Sequence, residues 1–544
     1  MAISCLLVLI VAVGTGCPMP PKGEGGKKDV SATDVVDLDD AEDLGDVQPR
    51  DTRSDIATTD VSSDGTHSDA SGNPREIQLP SLETVETNGF ATSKDCVACH
   101  SNEEGANAMR DSQGRPVGFY DLWHASMMAN SARDPLWRAM VSAEVKKSPG
   151  AAAKIQNKCM RCHTPMAYKA TRRQGNSRIS LDVFTEGTAL SQIALDGVSC
   201  AACHQIEPDN LGKPSSFTGG FEMTKKKTAF GPYDDVFAEP MKNRNGFTPT
   251  KGTHIRDSGL CGSCHTLYTN PIDAQGNSTA SGHFPEQTPF LEWRNSQYST
   301  NMNGPEESCQ SCHEPTEDRD GNAIETQIAR NKFGGDYPLM KVPKRSAYGR
   351  HLFVGGNTLI PAILRDNREA LNPPASDEAF DALLERVRRQ LENRTATIQI
   401  TRAEKTGGAL EVDVGIDVMT GHKFPTGYPA RRAWLHVKVT DGNDRVVFQS
   451  GRVDMAGRIV DGRGEPLDFE TVGGPIEPHH ETVEKEDDVQ IYQSIMSNAS
   501  GETTWRLMRA STYQKDNRLL PKGWSSNHPA MDDIEPIGTD GDMN

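Results

Sequence analysis

The tripartite pattern Cys-x-x-Cys-His occurs five times: Cys96-Val-Ala-Cys99-His100, Cys159-Met-Arg-Cys162-His163, Cys200-Ala-Ala-Cys203-His204, Cys261-Gly-Ser-Cys264-His265 and Cys309-Gln-Ser-Cys312-His313. Only Cys5 and Cys17, both near the N-terminus, fall outside these copies. Two thiols three positions apart reach the two vinyl groups of one haem, and the next residue sets an imidazole under the iron. A disulfide framework gives no reason for a histidine after every second cysteine. Zinc ribbons pair two Cys-x-x-Cys units across a short gap, whereas successive copies here start 63, 41, 61 and 48 residues apart. The expected cofactors are five covalent haem c groups, with His100, His163, His204, His265 and His313 as proximal iron ligands.

At 544 residues the chain has room for about three or four domains. Only 35% of residues are apolar, beside 49 Gly and 33 Pro. A haem is itself a large flat apolar body, so a haem-dense domain needs less side-chain core. No apolar run after residue 16 is long enough to span a bilayer as a helix. The formal charge of −18 is concentrated in residues 29–74, where thirteen Asp or Glu face only Arg50 and Arg53. Nothing in this balance suggests nucleic acid binding.

The N-terminus reads as an export signal, with a short apolar run from Leu6 to Val13. Gly14-Thr15-Gly16-Cys17 resembles a lipoprotein lipobox, although Gly14 stands where a Leu-like residue is usual and no Lys or Arg precedes the apolar run. Residues 1–17 are therefore expected to be a lipoprotein signal, with Cys17 as the lipid anchor. Residues 18–88 lack aromatics and are rich in Pro, Gly, Ser, Thr and Asp, the composition of a disordered acidic tether. About seventy residues of coil span roughly 45–50 Å. The expected location is extracytoplasmic, periplasmic or at the cell surface, as an outer-membrane lipoprotein.

The expected fold is α+β and multidomain: a haem-wrapping, mostly helical and irregular pentahaem domain over 89–372, then a connecting helix at 373–394, then an all-β sandwich at 395–544. Asp134-Pro135 predicts a capped helix start. Ser376 caps an amphipathic pattern with Phe380, Leu383, Leu384, Val387 and Leu391 on one face. Beyond Thr395 the period becomes two. Leu410, Val412, Val414, Ile416 and Val418 alternate with Glu411, Asp413, Gly415 and Asp417, a half-buried strand. Ala433 to Val439 and Val446 to Phe448 continue the pattern, and an immunoglobulin-like sandwich is the expectation.

Ten histidines remain after the five motifs. His67 lies in the tether, while His436 and His528 read as structural. His124, His254, His283, His351 and His422 are the candidate distal iron ligands, with His479 and His480 in reserve. His124 opens His-Ala-Ser-Met-Met, so Met127 or Met128 is an alternative there. His254 precedes Cys261 by seven residues and suits a neighbouring haem better. His351 sits beside Gly355-Gly356, where backbone can approach a macrocycle. His422 lies on a loop between strands that could reach into the haem domain.

The stretch Thr420-Gly421-His422-Lys423-Phe424-Pro425-Thr426-Gly427-Tyr428-Pro429-Ala430-Arg431-Arg432-Ala433-Trp434-Leu435 resembles a signature of large exported multihaem cytochromes of environmental bacteria. Phe284-Pro285-Glu286-Gln287-Thr288-Pro289-Phe290-Leu291-Glu292-Trp293 and Lys515-Asp516-Asn517-Arg518-Leu519-Leu520-Pro521 resemble others, and the haem part is similar to the cytochrome-c-554-like tetrahaem group. The resemblance covers roughly residues 90–535. It implies bis-histidine haems in close-packed pairs and respiratory electron transfer. Relatives tend to continue with a further strand past Asn544, so the expectation is either an incomplete sandwich or a truncated chain.

Two axial imidazoles leave no open iron position, and an electron-transfer protein rather than an enzyme is the leading expectation. Its partners would be other cytochromes or a quinol-linked donor. A multihaem oxidoreductase acting on a nitrogen or sulfur oxyanion would need one five-coordinate haem in a polar pocket. The Cys-x-x-Cys-Lys variant of some nitrite reductases is absent. A haem-filament or complex subunit would instead leave one haem short of an in-chain histidine.

Overall fold

The computed structural model describes residues 78–279, 282–299 and 306–539, together with the backbone of 7–15. These form one compact unit. Cys17 and most of the expected tether lie outside the described residues. No helix among them is long and apolar enough to cross a membrane.

Four motifs end a helix on their histidine: Ser93–His100, Ala152–His163, Cys200–His204 and Cys309–His313. The fourth begins in Ser258–Gly262, and His265 N–H donates to Cys261 O at 2.9 Å, continuing the turn past the helix. Positions i, i+3 and i+4 share one helical face, so each turn presents two thiols and an imidazole together. Capping follows the sequence. Asp134 accepts from the Leu136 and Trp137 N–H groups at the start of Pro135–Lys147, and Ser376 accepts from Ala379 N–H at the start of Asp377–Arg394.

Between the helices the chain reuses one five-residue loop. Asp111, Asp273, Asp318, Asn331, Asp441, Asp454, Asp461 and Asn498 each donate a backbone N–H to the carbonyl four residues on. In every case the side-chain Oδ1 accepts from the N–H groups two and four residues on. The fourth residue must adopt positive φ, and it is glycine in seven loops and Asp444 (φ 61°) in the other. These turns satisfy backbone groups locally, so long stretches stay ordered without helix or extended sheet.

The largest core cluster surrounds the second motif, with Phe90, Trp137, Met160, Phe184 and Ile193 at its centre. A second lies under the Asp377–Arg394 helix, where Phe380, Leu383 and Val387 pack against Ile360 and Leu364. That face is the one the sequence pattern marks.

The β region is a five-stranded sheet built on Arg431–Thr440. This strand pairs antiparallel with Leu7–Thr15, with Val446–Ser450 and with Ile491–Asn498, and the last of these pairs with Ala510–Asp516. Leu7–Thr15 is most of the run read as an export signal; its β-branched composition also suits an edge strand. Ala396–Thr406 and Ala409–Val418 form a separate two-stranded hairpin, outside the main sheet. The strand expected from the alternation at 410–418 is present, but Ile400 (44% exposed) and Leu410 (43%) remain largely in solvent. Among the described residues the β region is thus one five-stranded sheet and a separate two-stranded ribbon.

Candidate haem cluster

All ten motif cysteines are unbridged. Sulfurs of different motifs adjoin: Cys96 meets Cys200, Cys162 meets Cys264, and Cys261 meets Cys309. Cys203 lies within electrostatic reach of Cys264. The first and third motifs therefore connect to the fourth, and the second and fifth flank it. Burial pushes the Cys159 and Cys203 thiols up to about 12, so both stay protonated at neutral pH. Gly262 sits where it does because an added Cβ would lie 2.6 Å from Cγ of the Phe290 ring.

Four of the five proximal histidines share one arrangement. His100 Nδ1 lies 3.0 Å from Ile328 O, His163 Nδ1 3.2 Å from Ser131 O and His313 Nδ1 2.9 Å from Val354 O, and His204 Nδ1 pairs with Phe230 O. A carbonyl only accepts, so Nδ1 carries the proton and Nε2 keeps its lone pair, the form that ligates a metal. Burial lowers His100, His163 and His313 to about 4, which keeps them neutral. His265 is lowered by burial and by nearby His422 and Arg431.

Among the candidate distal residues, His351 stands out. Its Nδ1 lies 3.1 Å from Gly349 O, and its ring is parallel to His204, with planes 6° apart and centroids 6.3 Å apart. Two metal–nitrogen bonds of about 2 Å, with ring radii of about 1.1 Å set by C–N bonds near 1.33 Å, require about that separation. His422 Nδ1 lies 3.0 Å from Lys423 O. It lies near both His265 of the fourth motif and His313 of the fifth. His254 engages Ile206 O through Nε2 at 2.9 Å, leaving Nδ1, and lies near His204. His124 is partly buried and stacks on Tyr120 with centroids 5.1 Å apart.

His283 is placed differently. Its side chain is 49% exposed and Nε2 lies 3.3 Å from Asp533 Oδ1. The reserve pair is held in polar networks, His479 by Gln490 and Asn517, His480 by Glu477 at 2.7 Å. His436 meets Gln449, and His528 accepts from Ala530 N–H. Sequence reading missed Trp137, which stacks on His163 with centroids 4.4 Å apart and planes 9° apart. An aromatic twenty-six positions from its histidine carries no local signal.

An open cleft lies at the first motif. Cys96, Cys99 and His100 form one wall, Phe237, Tyr337 and Val342 others, with Arg244 and Lys341 beside them. The mostly apolar lining suits a macrocycle, and the cations suit its carboxylates. With free thiols, proton-fixed histidines and this cleft, the residues present fit haem.

The three stretches singled out from the sequence converge. Lys423 Nζ lies 2.7 Å from Asp516 Oδ2, and Arg518 Nε 2.7 Å from Asp516 Oδ1. Arg518 Nη1 lies 3.1 Å from Glu292 Oε1, and Glu292 Oε2 accepts from Lys423 N–H and Thr426 Oγ1. Although burial pushes the Asp516 carboxyl up, Arg518 and Lys423 hold it far below the ordinary carboxylate range. Two cations and two anions balance, and the residue before Lys423 is His422.

Residues 81–235, which contain the first three motifs, match the family model of outer membrane cytochrome MtrC/MtrF-like domains II/IV. No curated protein and no solved structure matches the chain. The family match supports the reading of a multihaem cytochrome of the outer membrane.

Proposed function

We propose that this chain is an extracytoplasmic electron-transfer cytochrome that binds five haem c groups. The observation that carries the reading is the gathering of all five Cys-x-x-Cys-His turns into one connected cluster. Bound haem supplies one-electron redox chemistry, tuned by axial ligands and burial. The protein contributes the rest. Cys96, Cys99, Cys159, Cys162, Cys200, Cys203, Cys261, Cys264, Cys309 and Cys312 would anchor the groups. His100, His163, His204, His265 and His313 would bind from one side.

His351 is assigned to the third motif, opposite His204, and His422 to the fourth or fifth; His254 and His124 would serve others. The likeness to close-packed bis-histidine cytochromes of the c-554-like group is consistent with this. A lipid anchor at Cys17 would hold the protein at the outer membrane, where other cytochromes or a quinol-linked donor would exchange electrons with it.

One observation favours a second reading. His283, the fifth candidate, is half-exposed and engaged by Asp533, which leaves four candidates for five motifs. A haem without a sixth ligand would make the protein an oxidoreductase toward a nitrogen or sulfur oxyanion, or would take its ligand from a neighbouring subunit in an assembly. Pyridine haemochrome assay with intact mass measurement tests the main reading. Five haems per chain are expected, and a chain exported with haem-maturation machinery that carries none would overturn it.

A further inference from the structure

The rim of the first-motif cleft is locally basic. Between Arg330 and Arg345 there are five cations and one acid, Asp336. Asp336 turns inward, its carboxylate accepting from Asn107 and Ala108 N–H groups at 3.0 and 2.9 Å. Lys332, Lys341 and Lys344 are exposed. The same loop carries Phe333 (87% exposed), Leu339 (59%) and Met340 (89%). Elsewhere on the described surface, large apolar side chains as exposed as these occur singly, as at Met455 and Val472. On its inner side the loop supplies Tyr337, Lys341 and Val342 to the wall of the cleft containing His100.

Exposed apolar side chains ringed by like charges have two roles that solvation alone does not explain. The apolar groups release water on contact, and the lysines attract and orient a partner of opposite charge over about a Debye length, near 10 Å at 0.1 M salt. A contact here would also bring a partner's redox centre next to the first haem site.

We infer that the loop from Lys332 to Arg345 is the docking site for a redox protein with an acidic surface. The inference rests on the electron-transfer reading and adds the place and charge of the partner. In the exchange, one electron leaves the reduced centre of the partner, which is oxidised by one, and one ferric haem of this chain is reduced to ferrous; no atom is transferred.

The test uses the full holoprotein and a reduced acidic plant-type ferredoxin as the probe, with stopped-flow detection of haem reduction. The second-order rate constant is expected to fall by about tenfold or more with rising salt. The Lys332→Glu/Lys344→Glu variant is expected to lose a similar factor at low salt, and Phe333→Ser/Met340→Ser to slow the reaction at every salt concentration. Reversing two exposed charges elsewhere, Arg388→Glu/Lys405→Glu, should leave most of the rate. A wild-type rate indifferent to salt, or equal loss from both charge-reversal variants, overturns the inference. Dithionite, which needs no docking site, should reduce every variant alike. Its failure on the wild type would instead count against the electron-transfer reading itself.

Discussion

Lys423 and Asp516 lie 2.7 Å apart with side chains 0% and 3% exposed, joining the loop of His422 to the last strand of the sheet. A fully buried pair draws its value from being complete, because each charge has left water. Lys423→Met leaves Arg518 alone against Asp516 and Glu292, and we expect a loss of about 3–5 kcal/mol in urea unfolding. Lys423→Met/Asp516→Leu leaves the Arg518–Glu292 pair balanced and should lose less than the two single changes together. Additive losses would mean that the cluster is not a unit.

Glu286 gives the protein a pH dependence. Its carboxyl is buried and pushed up to about 8 by desolvation, with Lys158 opposing and Glu144 reinforcing. In the folded protein it is therefore neutral where an unfolded chain already ionises. For an acid whose folded pKa is raised, the contribution is fully present below about pH 4.5 and is lost as pH rises toward 8. Melting temperature measured between pH 5 and 8.5 should fall across this window in the wild type, by an amount worth on the order of a few kcal/mol. Glu286→Gln should reduce that slope, leaving the part due to Asp196 and Glu314, which burial also raises. An unchanged slope in the variant would show that Glu286 is not its source.

Trp137 fills the space beside His163 in the largest core cluster. Removing a buried indole costs about 3–5 kcal/mol, and Trp137→Ala should lose that much, whereas Trp137→Phe keeps an aromatic face and should lose less. If the stack also fixes the His163 ring, the alanine variant should change the low-spin g-values of one haem and the phenylalanine variant should not. Equal spectra in both would confine Trp137 to packing.

What could be read from the sequence was local. Cys-x-x-Cys-His turns need four or five residues, Ser376 and Asp134 cap the helices that follow them, and alternation finds strands such as Ala409–Val418. What escaped was set by approach through space. His204 and His351 are far apart in the chain, and neither has a local pattern that names the other. Lys423, Asp516, Arg518 and Glu292 stood in three separately noticed stretches, yet each looked like an ordinary charge until the chain brought them together. The Asp-x-x-Gly loops were visible only as turn residues, because the repeat is in their hydrogen bonds rather than in their neighbours. The hairpin at Ala396–Val418 followed its period but not its expected burial, since alternation marks an apolar face without saying what covers it.

Haems held between opposed histidines are the expectation, with His204 and His351 as the best-formed pair. Electron paramagnetic resonance of the oxidised holoprotein, wild type and His351→Ala side by side, is the decisive measurement. His351→Ala is expected to keep five haems and to convert one haem equivalent from low-spin to high-spin ferric iron. A variant spectrum identical to the wild type, with haem content unchanged, would contradict that pairing.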